Sequence, residues 1–198
     1  AIIADAEWLN QEGRAFPVVL DPSLIKENQY LTCRCVGRNG TAYTSSGSPL
    51  RVGKVGDWVY RTYVNFDFGS IDGYDISNAM LLLTLSKSGS GNYYVAKSTQ
   101  SSSSTTSFTS QTAACDIFTF SESEDGQYIA TADITRILRD WQNGSVNSGI
   151  TIYGNEVAGQ SITIQDVQLS VTCQSKRAKA SKSFQKNDVR RAGSSAVD

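Results

Sequence analysis

The chain has 198 residues, 39% hydrophobic and 19% charged, with a formal net charge of −1. That length suits one domain with flanking segments, burying roughly 70% of its unfolded surface, and an aromatic content of 10% with little net charge excludes a disordered chain. There is no histidine, which excludes Ser-His-Asp and Cys-His catalysis and any His-ligated metal, and the longest apolar run, Ala79-Met80-Leu81-Leu82-Leu83, is far short of the ~20 residues of a membrane helix.

The start, Ala1-Ile2-Ile3-Ala4, lacks Met and reads as trimmed or excised from a longer polypeptide. Residues 4–9 can form one or two helical turns ended by Gly13, and residues 16–22 read as a strand closed by a turn. Residues 30–36 are a strand followed by the hairpin signal Asn39-Gly40, and residues 50–55 are another. The strongest strand is residues 58–68. Trp58, Tyr60, Thr62, Val64, Phe66 and Phe68 share its natural core face; Val59, Arg61, Tyr63, Asn65 and Asp67 share the other, which is solvated or holds an Arg61–Asp67 ion pair.

Residues 76–86 form a nearly continuous apolar run expected of a central strand, and residues 92–97 a shorter one. Residues 98–112 are rich in Ser and Thr, broken only by Phe108, and read as a long surface loop or a pair of poorly specified edge strands. One helix interrupts the pattern over about 133–143. Asp133 can cap it, Ile134, Ile137, Leu138 and Trp141 make its apolar stripe, and Gly144 stops it, so Trp141 is expected to plug the core. Strands over 149–153 and 162–171 close the body. Short strands, frequent turns and one helix predict an all-β, jelly-roll-like β-sandwich over residues 23–173, with a lead-in at 1–22.

Cys33 and Cys35 lie two residues apart and so face the same side of a strand, better placed to reach Cys115 and Cys173 than each other. Up to two disulfides, or four buried thiols, are both open; C-x-C with two scattered cysteines is not a zinc-ribbon spacing. Residues 174–198 change character. Lys176, Arg177, Lys179, Lys182, Lys186, Arg190 and Arg191 stand against Asp188 and Asp198, a net +5 that leaves −6 on the rest, with Phe184 among the few apolar residues. Such a segment is a solvated linker, or an arm that docks on the acidic body of a neighbouring copy.

The motif order resembles a known family. Ala6-Glu7-Trp8-Leu9 followed by Phe16-Pro17-Val18-Val19-Leu20-Asp21-Pro22, then Tyr60-Arg61-Thr62-Tyr63-Val64-Asn65-Phe66-Asp67-Phe68, Ile76-Ser77-Asn78-Ala79-Met80-Leu81 and Ala132-Asp133-Ile134-Thr135 through Trp141-Gln142-Asn143-Gly144 are similar to DNRLRE-type domains. These occur in Rhs/YD-repeat and wall-associated bacterial surface proteins. The resemblance implies a jelly-roll-like sandwich related to carbohydrate-binding modules. The Ser/Thr run stands where that family carries a Trp-rich segment.

The expected function is a non-catalytic, extracellular or cell-surface module that binds polysaccharide or serves attachment; the alternative is a self-assembling structural subunit. Polysaccharide or other copies of the chain are the expected partners, not nucleic acid, and no organic cofactor is expected. Sugar recognition needs exposed aromatic faces beside hydroxyl-binding groups, and Tyr43, Trp58, Tyr93 and Tyr94 are the candidates. Asp72, Asp75 and Asn78, or Glu122, Glu124 and Asp125, could offer oxygens to calcium. A glycosidase would need only two carboxylates, but no spacing marks a pair.

Overall fold

The computed structural model describes residues 23–26, 31–66, 74–86, 90–99, 105–109 and 111–175. The sequence-predicted lead-in, the Arg61 partner Asp67, the calcium candidate Asp72 and the basic segment from Lys176 onward, with Arg177, Lys179, Lys182, Phe184, Lys186, Arg190 and Arg191, lie outside these residues.

The fold is all-β, with antiparallel strands and one short helix among the described residues. In chain order the strands are β1 (Ser23–Lys26), β2 (Leu31–Asn39), β3 (Ala42–Ser46), β4 (Leu50–Val55), β5 (Trp58–Phe66), β6 (Tyr74–Leu85), β7 (Tyr93–Lys97), β8 (Asp116–Ile117), β9 (Thr119–Glu122), β10 (Tyr128–Asp133), β11 (Ile150–Gly154) and β12 (Ser161–Ser175), with α1 (Thr135–Gln142) between β10 and β11. Hydrogen bonding runs β8-β7-β11-β5-β4-β12-β6-β10-β9, while β2 joins β5 and carries β3, and β1 joins β12.

Two corners turn this path into a nearly closed, barrel-like sandwich. At one, β4 pairs with β5 through residues 53–55 and with β12 through residues 50–53. Gly53 sits where the strand changes partner, at φ +98°, and a Cβ there would come within 2.2 Å of the Gln160 carbonyl. Only glycine accommodates that backbone and that approach. At the other corner, β8 pairs with β7 and the next few residues, as β9, pair with β10. The first and last strands of the path are thus consecutive in the chain, joined through buried Phe118, whose N–H donates to the Tyr93 carbonyl at 2.8 Å.

The core lies between the two halves. Val64, Phe66, Val95, Ile150 and Ile152 from one half and Leu81, Leu83, Leu85, Ala130, Val167 and Leu169 from the other form one buried cluster. The apolar run in β6 is flanked on both edges, by β12 and β10, as expected of a central strand.

Helix α1 closes one end. Asp133 holds its start, its carboxylate accepting the Thr135 N–H at 2.8 Å, and Gly144, at φ +99°, ends it with an N–H to the Trp141 carbonyl. Ile134, Ile137, Leu138 and Trp141 are buried, and the Trp141 ring lies 6.3 Å from that of Phe66. The Thr135 hydroxyl accepts the buried Ala79 N–H at 2.8 Å, and Arg139 donates to the carbonyls of Ile76 and Ser77. These three bonds tie the helix to β6.

The described residues include all four cysteines, and no disulfide joins them. Cys33 and Cys35 do share a face, opposite Val64 and Thr62 of β5. Cys35 instead donates to the Arg51 carbonyl at 3.6 Å and Cys115 to the Asp133 carbonyl at 3.7 Å, while Cys173 is buried opposite Ile76. Two-residue spacing orients a pair of thiols but cannot bring distant strands within bonding reach.

Candidate functional site

The outer face of the sheet β3-β2-β5-β11-β7 gathers three arginines and four tyrosines. Register defines it. Tyr43 lies opposite Arg38, Arg38 opposite Val59, Tyr63 opposite Thr151, and Tyr153 opposite Tyr94. Side chains alternate faces along a strand, so Tyr43, Arg34, Arg38, Arg61, Tyr63, Tyr153 and Tyr94 all point to the same side.

The middle of this face is not solvated. Val36, Tyr63, Ala96 and Thr151 have no exposed surface, and described residues of the Ser/Thr-rich run meet this face at Tyr63, Thr151, Arg38 and Arg61. The covering is specific. The Thr109 N–H donates to the Tyr63 hydroxyl at 3.1 Å, and Ser98 bonds Thr151, hydroxyl to hydroxyl, at 2.8 Å. Phe108 lies under two guanidiniums, 4.9 Å from Arg38 and 4.4 Å from Arg61, with Tyr43 edge-on at 5.8 Å. Of the two readings of the second face of β5, the solvated one does not hold for its middle, where Phe108 and Thr109 pack onto it; the other, an Arg61–Asp67 pair, involves a residue outside those described. Arg61 finds its carboxylate in Glu156, 3.5 Å away, and also donates to the Gln111 amide oxygen at 3.0 Å. Glu156 pairs with Arg38 as well, at 3.4 Å.

Beyond the covering run the face opens. Tyr94 and Tyr153 lie side by side, ring centroids 5.4 Å apart and tilted by 30°, both half-buried. Arg61 is 5.8 Å from the Tyr153 ring. Burial pushes the Tyr153 hydroxyl's pKa up, with Arg61 opposing and Tyr94 adding to the shift, so the phenol stays protonated and can both donate and accept. The result is a two-ring platform flanked by a guanidinium, an amide and a carboxylate.

The four aromatic candidates do not converge. Tyr43 and Tyr94 share the outer face but stand four strand spacings apart, about 19 Å. Tyr93 faces inward, 1% exposed; its ring meets Phe120 edge-on and its hydroxyl donates to the Ser90 carbonyl. It is a core residue and cannot meet a ligand, a correction to its candidacy. Trp58 lies on the opposite face from Tyr94, at the β4–β5 turn, with its ring 6.5 Å from Tyr60. Arg38, Gln111, Tyr153 and Glu156 were not anticipated. Tyr153 was findable, since Ile150 and Ile152 facing inward send Thr151 and Tyr153 outward.

A second concavity, about 480 Å³, lies beside the start of α1, lined by Ser77, Asn78, Asp133, Thr135, Arg136, Arg139 and Asp140. Its charges are largely engaged: Asp140 pairs with Lys97 at 3.3 Å, and the Asp133 carboxylate accepts the Thr135 N–H. Glu122, Glu124 and Asp125 share the β9–β10 turn, but no group of three ligating side chains suited to a metal forms among the described residues. No described helix is long and apolar enough to cross a membrane.

Compared with known proteins, the chain matches no family model, and no curated protein matches it.

Proposed function

We propose that this chain is a non-catalytic binding module of an extracellular surface protein, and that it holds polysaccharide on the outer face of the β5-β11-β7 sheet. The observation that carries the reading is the Tyr94–Tyr153 pair, two adjacent half-buried rings beside Arg61, Gln111 and Glu156. Sugar rings present axial C–H groups to an aromatic face and hydroxyls at their rims. An adjacent tyrosine pair answers the first, and a guanidinium, an amide and a carboxylate answer the second. Each strand fixes its ring through backbone pairing, so little ordering cost is left for binding. The motif-order resemblance to DNRLRE-type surface domains points the same way.

Affinity electrophoresis of the full chain through gels containing soluble neutral or uronate polysaccharides tests this. At least one polymer should retard the chain. Tyr94→Ala and Tyr153→Ala should each weaken retardation by about tenfold, the worth of one stacking contact of ~1–1.5 kcal/mol. Migration unaffected by every polymer, or retardation that survives both substitutions, would remove the platform from consideration.

A further inference from the structure

Two exposed strand edges carry complementary features. β3 pairs only with β2 among the described residues. Its sequence, Ala-Tyr-Thr-Ser-Ser, contains no charge and no proline, the devices that ordinarily guard an edge. Tyr43 stands on it, 42% exposed. Beside it are Arg38, its register partner, and Arg34, which donates to the Ser45 hydroxyl at 3.4 Å. This edge is aromatic and basic.

β9 is the other. Among the described residues it pairs only with β10, and it is largely exposed. A cleft of about 230 Å³ opens beside it, lined by Phe120, Ser121, Glu122 and Tyr128. Two aromatic rings wall it and a carboxylate sits among them, with Glu124 and Asp125 in the turn that follows. This edge is an aromatic socket with an acidic rim.

We propose that the β3 edge of one copy of this chain docks against the β9 edge of another, with Tyr43 entering the cleft between Phe120 and Tyr128. The Tyr43 hydroxyl donates to Glu122, and Arg38 faces the Glu122 and Glu124 carboxylates. Docking exchanges the exposed Arg38–Glu156 pair, worth little in solvent, and the contacts of Arg38 and Tyr43 with the Phe108 ring for these partners. The unpaired N–H and C=O groups of both edges find partners in the same step. Charge complementarity selects a second copy in this orientation: two β3 edges would bring Arg34 and Arg38 of both copies together. Each copy offers one knob and one socket at different places, so the contact is heterologous and propagates rather than closing as a two-fold dimer. The inference does not rest on polysaccharide binding.

Sedimentation velocity of the full chain at low salt, from about 10 μM to about 1 mM, tests it in the range of small, weak contacts. The average mass should rise past that of a dimer without a plateau, and fall when salt is added. Arg38→Glu and Glu122→Arg should each weaken association by about tenfold or more, because each sets like charges face to face. The double variant Arg38→Glu/Glu122→Arg, and a mixture of the two single variants, should associate again. Tyr43→Ala should stay monomeric. Wild-type urea midpoints in these surface variants separate lost association from lost folding. A wild-type chain that is monomeric throughout, a plateau at the dimer, or undiminished association of Glu122→Arg would each overturn the proposal.

Discussion

Replacing Tyr63 by Phe deletes one oxygen from a side chain with no exposed surface. That oxygen accepts the N–H of Thr109, itself 8% exposed, at 3.1 Å. Removing it leaves a buried backbone donor without its acceptor, which costs about 1–3 kcal/mol. The chain has a way to lower that cost, because residues 105–109 can lift from the sheet and give the amide to water. The loss should therefore be larger locally than globally. We expect the Thr109 amide to exchange with solvent roughly tenfold to a hundredfold faster, following the ~1.4 kcal/mol per decade that links opening to protection. Unfolding in urea should show a stability loss of about 1 kcal/mol, with exchange of the Leu83 amide in the core quickened only by that global amount. Phe108, one residue away, leaves the Arg38 and Arg61 guanidiniums whenever the run lifts. Unchanged Thr109 exchange together with an unchanged urea midpoint would refute the claim that Tyr63 anchors the covering run.

Gly53→Ala should destabilise the fold by about 3 kcal/mol or more, since it combines a strained φ with a collision against backbone rather than a movable side chain; a urea midpoint near wild type would show that β4 changes partners by some other route. The Cys33 thiol supplies a pH dependence. Burial, and secondarily the Asp166 carboxylate, pushes its pKa from 9.0 up to about 11. Between those values the unfolded chain has lost the thiol proton and the folded chain keeps it, so stability falls as pH rises from about 9 to about 11. Below that window the thiol contributes no slope. Denaturation series at stepped pH should show the decline in wild type and a shallower one in Cys33→Ala; equal slopes would disprove the assignment.

The elements that rest on local periodicity were legible in the sequence. β5 and its alternation, the apolar run of β6, the closing strands, and helix α1 with Asp133 before it and Gly144 after it all follow from residues within one or two turns of each other. Strands β1, β3, β8, β9 and β10 did not show. Ala-Tyr-Thr-Ser-Ser and Thr-Phe-Ser-Glu have no strong apolar alternation, and they are strands because a neighbouring chain segment pairs with them. The candidate face was half visible. Tyr94 and Arg61 could be placed on strands and Tyr43 named as an aromatic, whereas Gln111 and Glu156 reach the face from loops 50 and 95 residues away from Arg61.

Adjacent Tyr93 and Tyr94 show where local pattern stops. Alternation requires that they face opposite ways, and that much belongs to the sequence. Which of them is buried depends on which side of β7 meets the other half of the sandwich, and two identical neighbouring side chains carry no local bias between those choices. The same holds across β5. Its sequence offers two usable faces, and the covering run, bound through Thr109 to Tyr63 from 46 residues away, decides that the second face is buried in its middle and open only at its rim. Period and polarity are properties of neighbours along the chain; burial is a property of what arrives from elsewhere.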